Sequence, residues 1–272
     1  MSMNDNVTNE IIAREEAFHD NWAASVNVES ILVDESFESC TAPEGRQIKT
    51  WLGTLSGKSL LDLGSGLGEG AVYFAKQGAN VTAVDLSGEM LEVVKRLAAH
   101  HKVSVTTHKS PADNISIPDN TFDVVYAGNL LHHVDIATTL KEVHRILKPG
   151  GMAVFTDPLV HNPLINVYRR IAQDVRTEDE HPLHMKQVEM FRSIFSRVKY
   201  ECYWFFTLWI FLRFLLVEGV NPNKERYWKK IITEHARLEP IYTPLEKLDT
   251  IFLKLFPYFK RHCWNIVICC EK

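Results

Sequence analysis

The chain has 272 residues, 46% of them hydrophobic and 24% charged, with a formal net charge of −4. That is the composition of an ordinary globular protein, long enough for one large domain or a core with a cap, and neither disordered nor fibrous. With an acidic balance and no dense block of Lys and Arg, no nucleic-acid partner is expected.

Residues 1–50 stand outside the pattern that follows and read as an N-terminal helical cap. Within it FHDNWA places Phe18 and Trp22 four residues apart on one helix face, able to close over a ligand or simply to pack the cap onto the core. From residue 59 short apolar strands alternate with amphipathic helices, the pattern of a parallel sheet covered on both faces. SLLDL is strand one, and its glycine loop leads into the helix AVYFAKQG. NVTAVDL is strand two; Ser87 then caps a helix with Met90, Leu91, Val94, Leu97 and Ala98 on one stripe. SVTTHK and FDVVYA are strands three and four, and the next helix buries Leu140, Val143, Ile146 and Leu147. LKPGG stops that helix, because Pro149 cannot continue it and Gly150 suits a left-handed cap. MAVFTD is strand five.

Beyond Asp157 the alternation breaks. Residues 158–196 read as polar helices, RVKYECYWF and CWNIVICC as two further strands, and 206–260 as a helical lid with a proline-marked turn at IYTPLEK. YWFFTLWIFLRFLLV, residues 203–217, is almost wholly apolar, yet shorter than the ~20 residues that span a bilayer. It is expected to be a buried helix or pocket wall, with contact to a membrane surface as the alternative. The five cysteines are odd in number and lack a CxxC spacing, which fits reduced thiols in a cytoplasmic protein. The first twenty residues show no secretory signal pattern.

LLDLGSGLGEG, residues 60–70, carries glycines at 64, 66, 68 and 70. Gly66, Gly68 and Ala71 can be laid on a dinucleotide-binding template, with Asp85 as its ribose-binding acid, so a nicotinamide oxidoreductase is one reading. A phosphate-binding Walker loop is excluded, since no Gly-Lys-Ser/Thr follows. Asp62, two residues before Gly64, can tie down the turn and attract a cation, but it would repel a pyrophosphate. DLGSGLG, VDLS, FDVVYAGNLLHHV and EVHRILKPGGMAVFTD, taken in order over about residues 43–157, resemble the class I S-adenosylmethionine-dependent methyltransferases that modify small molecules and lipids.

The resemblance implies an α/β fold: a Rossmann-like, doubly wound, seven-stranded and mostly parallel sheet with helical caps. Residues 51–205 and 261–272 would form the cofactor-binding core, 158–196 its acceptor-side helices, and 206–260 the lid. It implies S-adenosylmethionine as cofactor, with Asp62, Gly64, Ser65 and Gly66 under its methionine and ribose, Asp85 on the ribose hydroxyls and Leu86 against the adenine. Asn129 would offer its carbonyl to the methionyl ammonium, beside Leu130, and Trp22 would close from the cap. The family often has an Asp after strand three; here HKSPAD places Ser110 there with Asp113 three residues on, so the adenine is expected to meet the backbone around Ala112. A protein that binds this cofactor for other chemistry is a further reading.

The acceptor should lie beyond the carboxyl ends of strands four and five. TDPLVHNPLINVYRR and TEDEHPLH bring His161, Asn162, Arg169, Arg170, Glu180, His181 and His184 to that rim. Histidine suits proton removal near neutral pH. His161 is the first candidate base, followed by His133 and His181. Asn162, Arg169, Trp209 and Phe211 are the candidate acceptor contacts, and the Trp- and Phe-rich lid suggests a bulky apolar small molecule. HPLH has no companion ligand at metal-binding spacing, so no metal is expected, nor is an obligate protein partner.

Overall fold

The computed structural model describes residues 3–173 and 180–272. Thr177, Glu178 and Asp179 of the TEDEHPLH stretch lie outside the described residues. In chain order the elements are α1 (Met3–Ala24), α2 (Glu35–Glu38), α3 (Pro43–Leu52), β1 (Ser59–Leu63), α4 (Glu69–Lys76), β2 (Asn80–Asp85), α5 (Gly88–His100), β3 (Val105–Lys109) and β4 (Phe122–Gly128). They continue with α6 (Ile136–Ile146), β5 (Leu147–Pro158), α7 (Pro163–Ile171), α8 (Val188–Ile194), β6 (Arg197–Tyr203), α9 (Trp209–Leu216), α10 (Tyr227–Thr233), α11 (His235–Leu255) and β7 (Asn265–Glu271).

The seven strands form one sheet in the order β3-β2-β1-β4-β5-β7-β6. β1 to β5 run parallel, while β7 lies antiparallel between β5 and β6. The chain winds outward in both directions from β1 and β4, which leaves a crevice at the carboxyl ends of these two strands. Successive side chains alternate between faces, and both faces are buried. Leu61, Leu63, Val125 and Ala127 pack toward α6 and α8, whereas Leu60, Val81, Ala83 and Val124 pack toward α3, α4 and α5.

Local signals fix the helices that line the crevice. Ser87 Oγ accepts the Met90 amide at 3.0 Å, and Asp135 Oδ1 accepts that of Thr138 at 2.8 Å, so α5 and α6 both start on a side-chain cap. One expectation fails. IYTPLEK is no turn: Pro240 and Pro244 lie inside α11, whose buried residues are Leu238, Tyr242, Asp249 and Leu253. Tertiary burial outweighs roughly 3 kcal/mol per interior proline. Both prolines are exposed, so the carbonyls they leave unpaired can reach water. The apolar run 203–217 divides into the end of β6 and the short α9, and no described helix is long and apolar enough to cross a membrane.

Candidate functional site

The crevice is built on the glycine loop. Gly64, Gly66 and Gly68 have φ of +68°, +50° and +90°, a region that L side chains rarely adopt. The amides of Gly64 and Ser65 donate to the Val84 carbonyl at 2.8 and 3.0 Å, pinning the loop to the end of β2. Asp85 completes the turn: its two carboxylate oxygens accept the Gly66 amide at 2.8 Å and the Ser87 amide at 2.9 Å. A Cβ at Gly64 would stand 2.8 Å from Leu130 Cδ1, whereas one at Gly66 would meet nothing within 4 Å. The Gly66 backbone therefore faces open space.

Two buried polar atoms of this loop, Asp62 Oδ2 and Ser65 Oγ, have no hydrogen-bond partner among the described residues. Burial pushes the Asp62 carboxyl up to about 8, although the Ala71 amide pulls it down, and burial also raises Asp85. Acids so placed are held ready for a cation and for hydroxyl donors. A ligand with a cationic amino-acid end and a ribose diol fits these acceptors and favours an ionised Asp62, whereas a pyrophosphate beside Asp62 would keep it protonated. Around the rim, the Ser110 amide donates to the Asp85 carbonyl at 3.1 Å, which ties the start of the half-buried Ala112 segment to the end of β2. Asn129 is exposed with φ of +55°, and its amide donates to Thr156 at 2.7 Å. The cofactor-binding candidates of strands one, two and four thus meet at one crevice. Trp22 comes from α1, which Ser87 ties down by donating to Asp20 at 2.5 Å, and its ring lies under Arg226 and Lys229 of the lid at 4.1 and 4.7 Å.

The histidine candidates divide into two groups. His133 Nδ1 lies 3.4 Å from Glu15 of α1, and its ring is 4.1 Å from that of His132. His132 Nδ1 lies 2.6 Å from Asp157 at the end of β5, and the same carboxylate accepts the Leu131 and His132 amides at 3.2 Å. Burial pushes Asp157 up to about 7. The His181 amide donates to the His132 carbonyl at 2.8 Å, but its side chain is exposed.

His161 belongs elsewhere. Its ring centroid is 5.2 Å from that of His184, its carbonyl accepts from His262 at 3.2 Å, and burial and Arg261 lower its pKa. None of these contacts is shared with His133.

Sequence reasoning missed Glu15, Asp157 and Glu180 as neighbours of the histidine pair. One ligating atom from each of His132, His133 and Glu180 lies within 4.8 Å of the others, close enough to hold a cation between them. The expectation of no metal rested on the spacing within HPLH, whereas this convergence joins distant segments. Other expected contacts have structural duties. Asn162 caps α7, accepting the Leu164 and Ile165 amides and donating to the His262 carbonyl. Arg169 donates to Asn166 and to the Leu159 carbonyl. Phe211 is buried against Tyr168, Tyr227 and Trp264, while Trp209 on the same helix is 57% exposed and points away from that cluster.

Residues 61–155 match the family model described as methyltransferase domain. The demethylmenaquinone methyltransferase of Chlorobaculum parvum is 37% identical over 109 residues, 39% of this chain and 44% of that protein. Phosphoethanolamine N-methyltransferase 3 of Arabidopsis thaliana is 34% identical over 103 residues, 37% of this chain and 21% of its own length. The chain thus spans less than half the length of these curated relatives. The fold is similar to that of Haemonchus contortus phosphoethanolamine N-methyltransferase 2, solved with phosphomonomethylethanolamine and S-adenosylhomocysteine, with a TM-score of 0.57 and 22% identity over 84% of this chain and 51% of that one. The glycine loop, Asp85 and the segment after β4 all lie within the matched stretch, and residues 61–155 carry a methyltransferase domain.

Proposed function

We propose that the chain transfers a methyl group from S-adenosylmethionine to a bulky, largely apolar small molecule. The observation that carries the cofactor assignment is the pair of buried acids on the glycine loop, one with an oxygen lacking a partner, above backbone that faces open space. When bound, the cofactor supplies an electrophilic methyl group on a sulfonium. Asp85 then holds the ribose hydroxyls, Asp62 favours the cationic methionyl end, Leu86 and the backbone at Ala112 flank the adenine, and the Asn129 carbonyl meets the ammonium. Leu130 and Trp22 close the crevice against water.

For an acceptor that must lose a proton, His133 is the base the geometry supports best, with Glu15 positioning its ring. It follows the crevice residue Leu130 by three positions, whereas His161 contacts a different set of side chains. The apolar acceptor is supported by the lid, residues 206–260, whose aromatic core is continuous with Tyr168 on α7. Screening apolar hydroxylated or amino acceptors for release of S-adenosylhomocysteine tests the activity. Retention of NADH by the purified protein would instead favour the oxidoreductase reading.

A proton balance checks the cofactor pose. With its pKa near 8, Asp62 is mostly protonated at pH 7 in the free protein. A cation beside it stabilises the carboxylate, so cofactor binding is expected to release about one proton. Calorimetric titration at pH 7 in buffers of different ionisation enthalpy measures this, and Asp62→Asn should abolish it. Unchanged proton release in that variant would remove Asp62 from the cofactor site.

A further inference from the structure

We propose that the outer face of α11, with the turn that follows it, docks on the surface of an anionic lipid bilayer. Leu248, Ile251 and Leu255 recur at helical spacing and are 47%, 60% and 67% exposed. Phe256 and Tyr258 extend the stripe at 51% and 67% exposure. Trp209 joins it from α9, its ring centroid 5.7 Å from that of Phe206, which in turn meets Phe252 edge to face at 5.2 Å. Isolated exposed apolar residues are commonplace, but a continuous patch of this kind marks a contact surface.

Charge decides what the contact is with. Lys247 and Lys254, both exposed, each precede a residue of the apolar stripe, and Arg261 lies 5.4 Å from the Tyr258 ring. The neighbouring acids are turned away: Asp249 is buried, accepting the amides of Phe205, Phe206 and Thr207, and Glu246 is paired with Arg46. An apolar stripe with interfacial aromatics beside unopposed lysines is complementary to acyl chains under anionic headgroups. A second copy of the chain on the same face would set these cations against like charges. No described helix can cross the membrane, so the contact is with one leaflet.

The face also adjoins the acceptor side of the sheet. The turn ends at His262, whose carbonyl accepts from Asn162 at 2.6 Å and whose Nδ1 lies 3.2 Å from the His161 carbonyl. A molecule dissolved in the leaflet would thus meet the protein beside the segment that leaves β5. This goes beyond the proposed methyl transfer and does not depend on it.

Vesicle sedimentation of the full chain tests the proposal. The protein should pellet with phosphatidylcholine vesicles containing about one third phosphatidylglycerol, not with phosphatidylcholine alone, and added salt should weaken the binding. Lys247→Ala and Lys254→Ala should each lower partitioning about fivefold, and Leu255→Glu and Trp209→Ser should lower it further. Thermal midpoint and S-adenosylhomocysteine affinity should not change, which separates loss of docking from loss of fold or of the cofactor site. Absence of binding to the anionic vesicles overturns the proposal, as does binding that these variants leave intact. So does a stable dimer, seen by sedimentation equilibrium, that Leu255→Glu splits.

Discussion

His133→Ala is expected to lower kcat by roughly 10²–10⁴, the range for loss of a positioned base. The acceptor proton has few other destinations at the crevice. His132 is buried with Nδ1 on Asp157, and His181 has an exposed side chain. His161→Ala should leave kcat near normal, because its ring packs on His184 rather than on the crevice histidines. The loss in His133→Ala should fall on kcat while S-adenosylhomocysteine affinity is retained, since the cofactor contacts proposed above are made by other residues. The wild-type rate should fall as the pH drops, because a protonated imidazole cannot accept a proton. Glu15→Gln should lower kcat while leaving S-adenosylhomocysteine affinity intact, since that carboxylate contacts the His133 ring. Near-normal kcat in His133→Ala would assign catalysis to alignment and desolvation, with an amine that arrives deprotonated as the favoured acceptor.

The core was legible because its signals are local. The period-two and helical stripes of residues 59–157, the Ser87 cap and the positive-φ glycines depend on residues close together in sequence, and the sheet forms where they place it. The histidine cluster was not legible for the opposite reason. Glu15, His132, Asp157 and Glu180 are separated by up to 165 residues, and no spacing rule links a carboxylate on a cap helix to a ring after β4. HNPLIN misled in a related way: Asn162 has the chemistry of an acceptor ligand, but its position just before Pro163 makes it the α7 cap. Pro240 and Pro244 misled because local propensity cannot register the burial of Leu238, Tyr242 and Leu253 on the far side of the same helix.

Asp85→Ala is expected to weaken S-adenosylhomocysteine binding at least tenfold. Loss of charge-assisted bonds to two ribose hydroxyls is worth on the order of 1.5–3 kcal/mol, or roughly ten- to a hundredfold in affinity. The same carboxylate also holds the Gly66 and Ser87 amides, so the substitution frees two loop donors as well as the ligand. These effects separate by measurement. If Asp85 acts only by shaping the loop, S-adenosylhomocysteine and an analogue lacking both ribose hydroxyls should lose affinity alike. If it binds the diol, wild type should discriminate strongly between the two ligands, and Asp85→Ala should bind both with similar weakness. The fold should survive, because the Gly64 and Ser65 amides remain anchored to the Val84 carbonyl and Ser87 still caps α5. Unchanged affinity in a folded Asp85→Ala protein would place the ribose elsewhere and remove the main ground for seating the cofactor on the glycine loop.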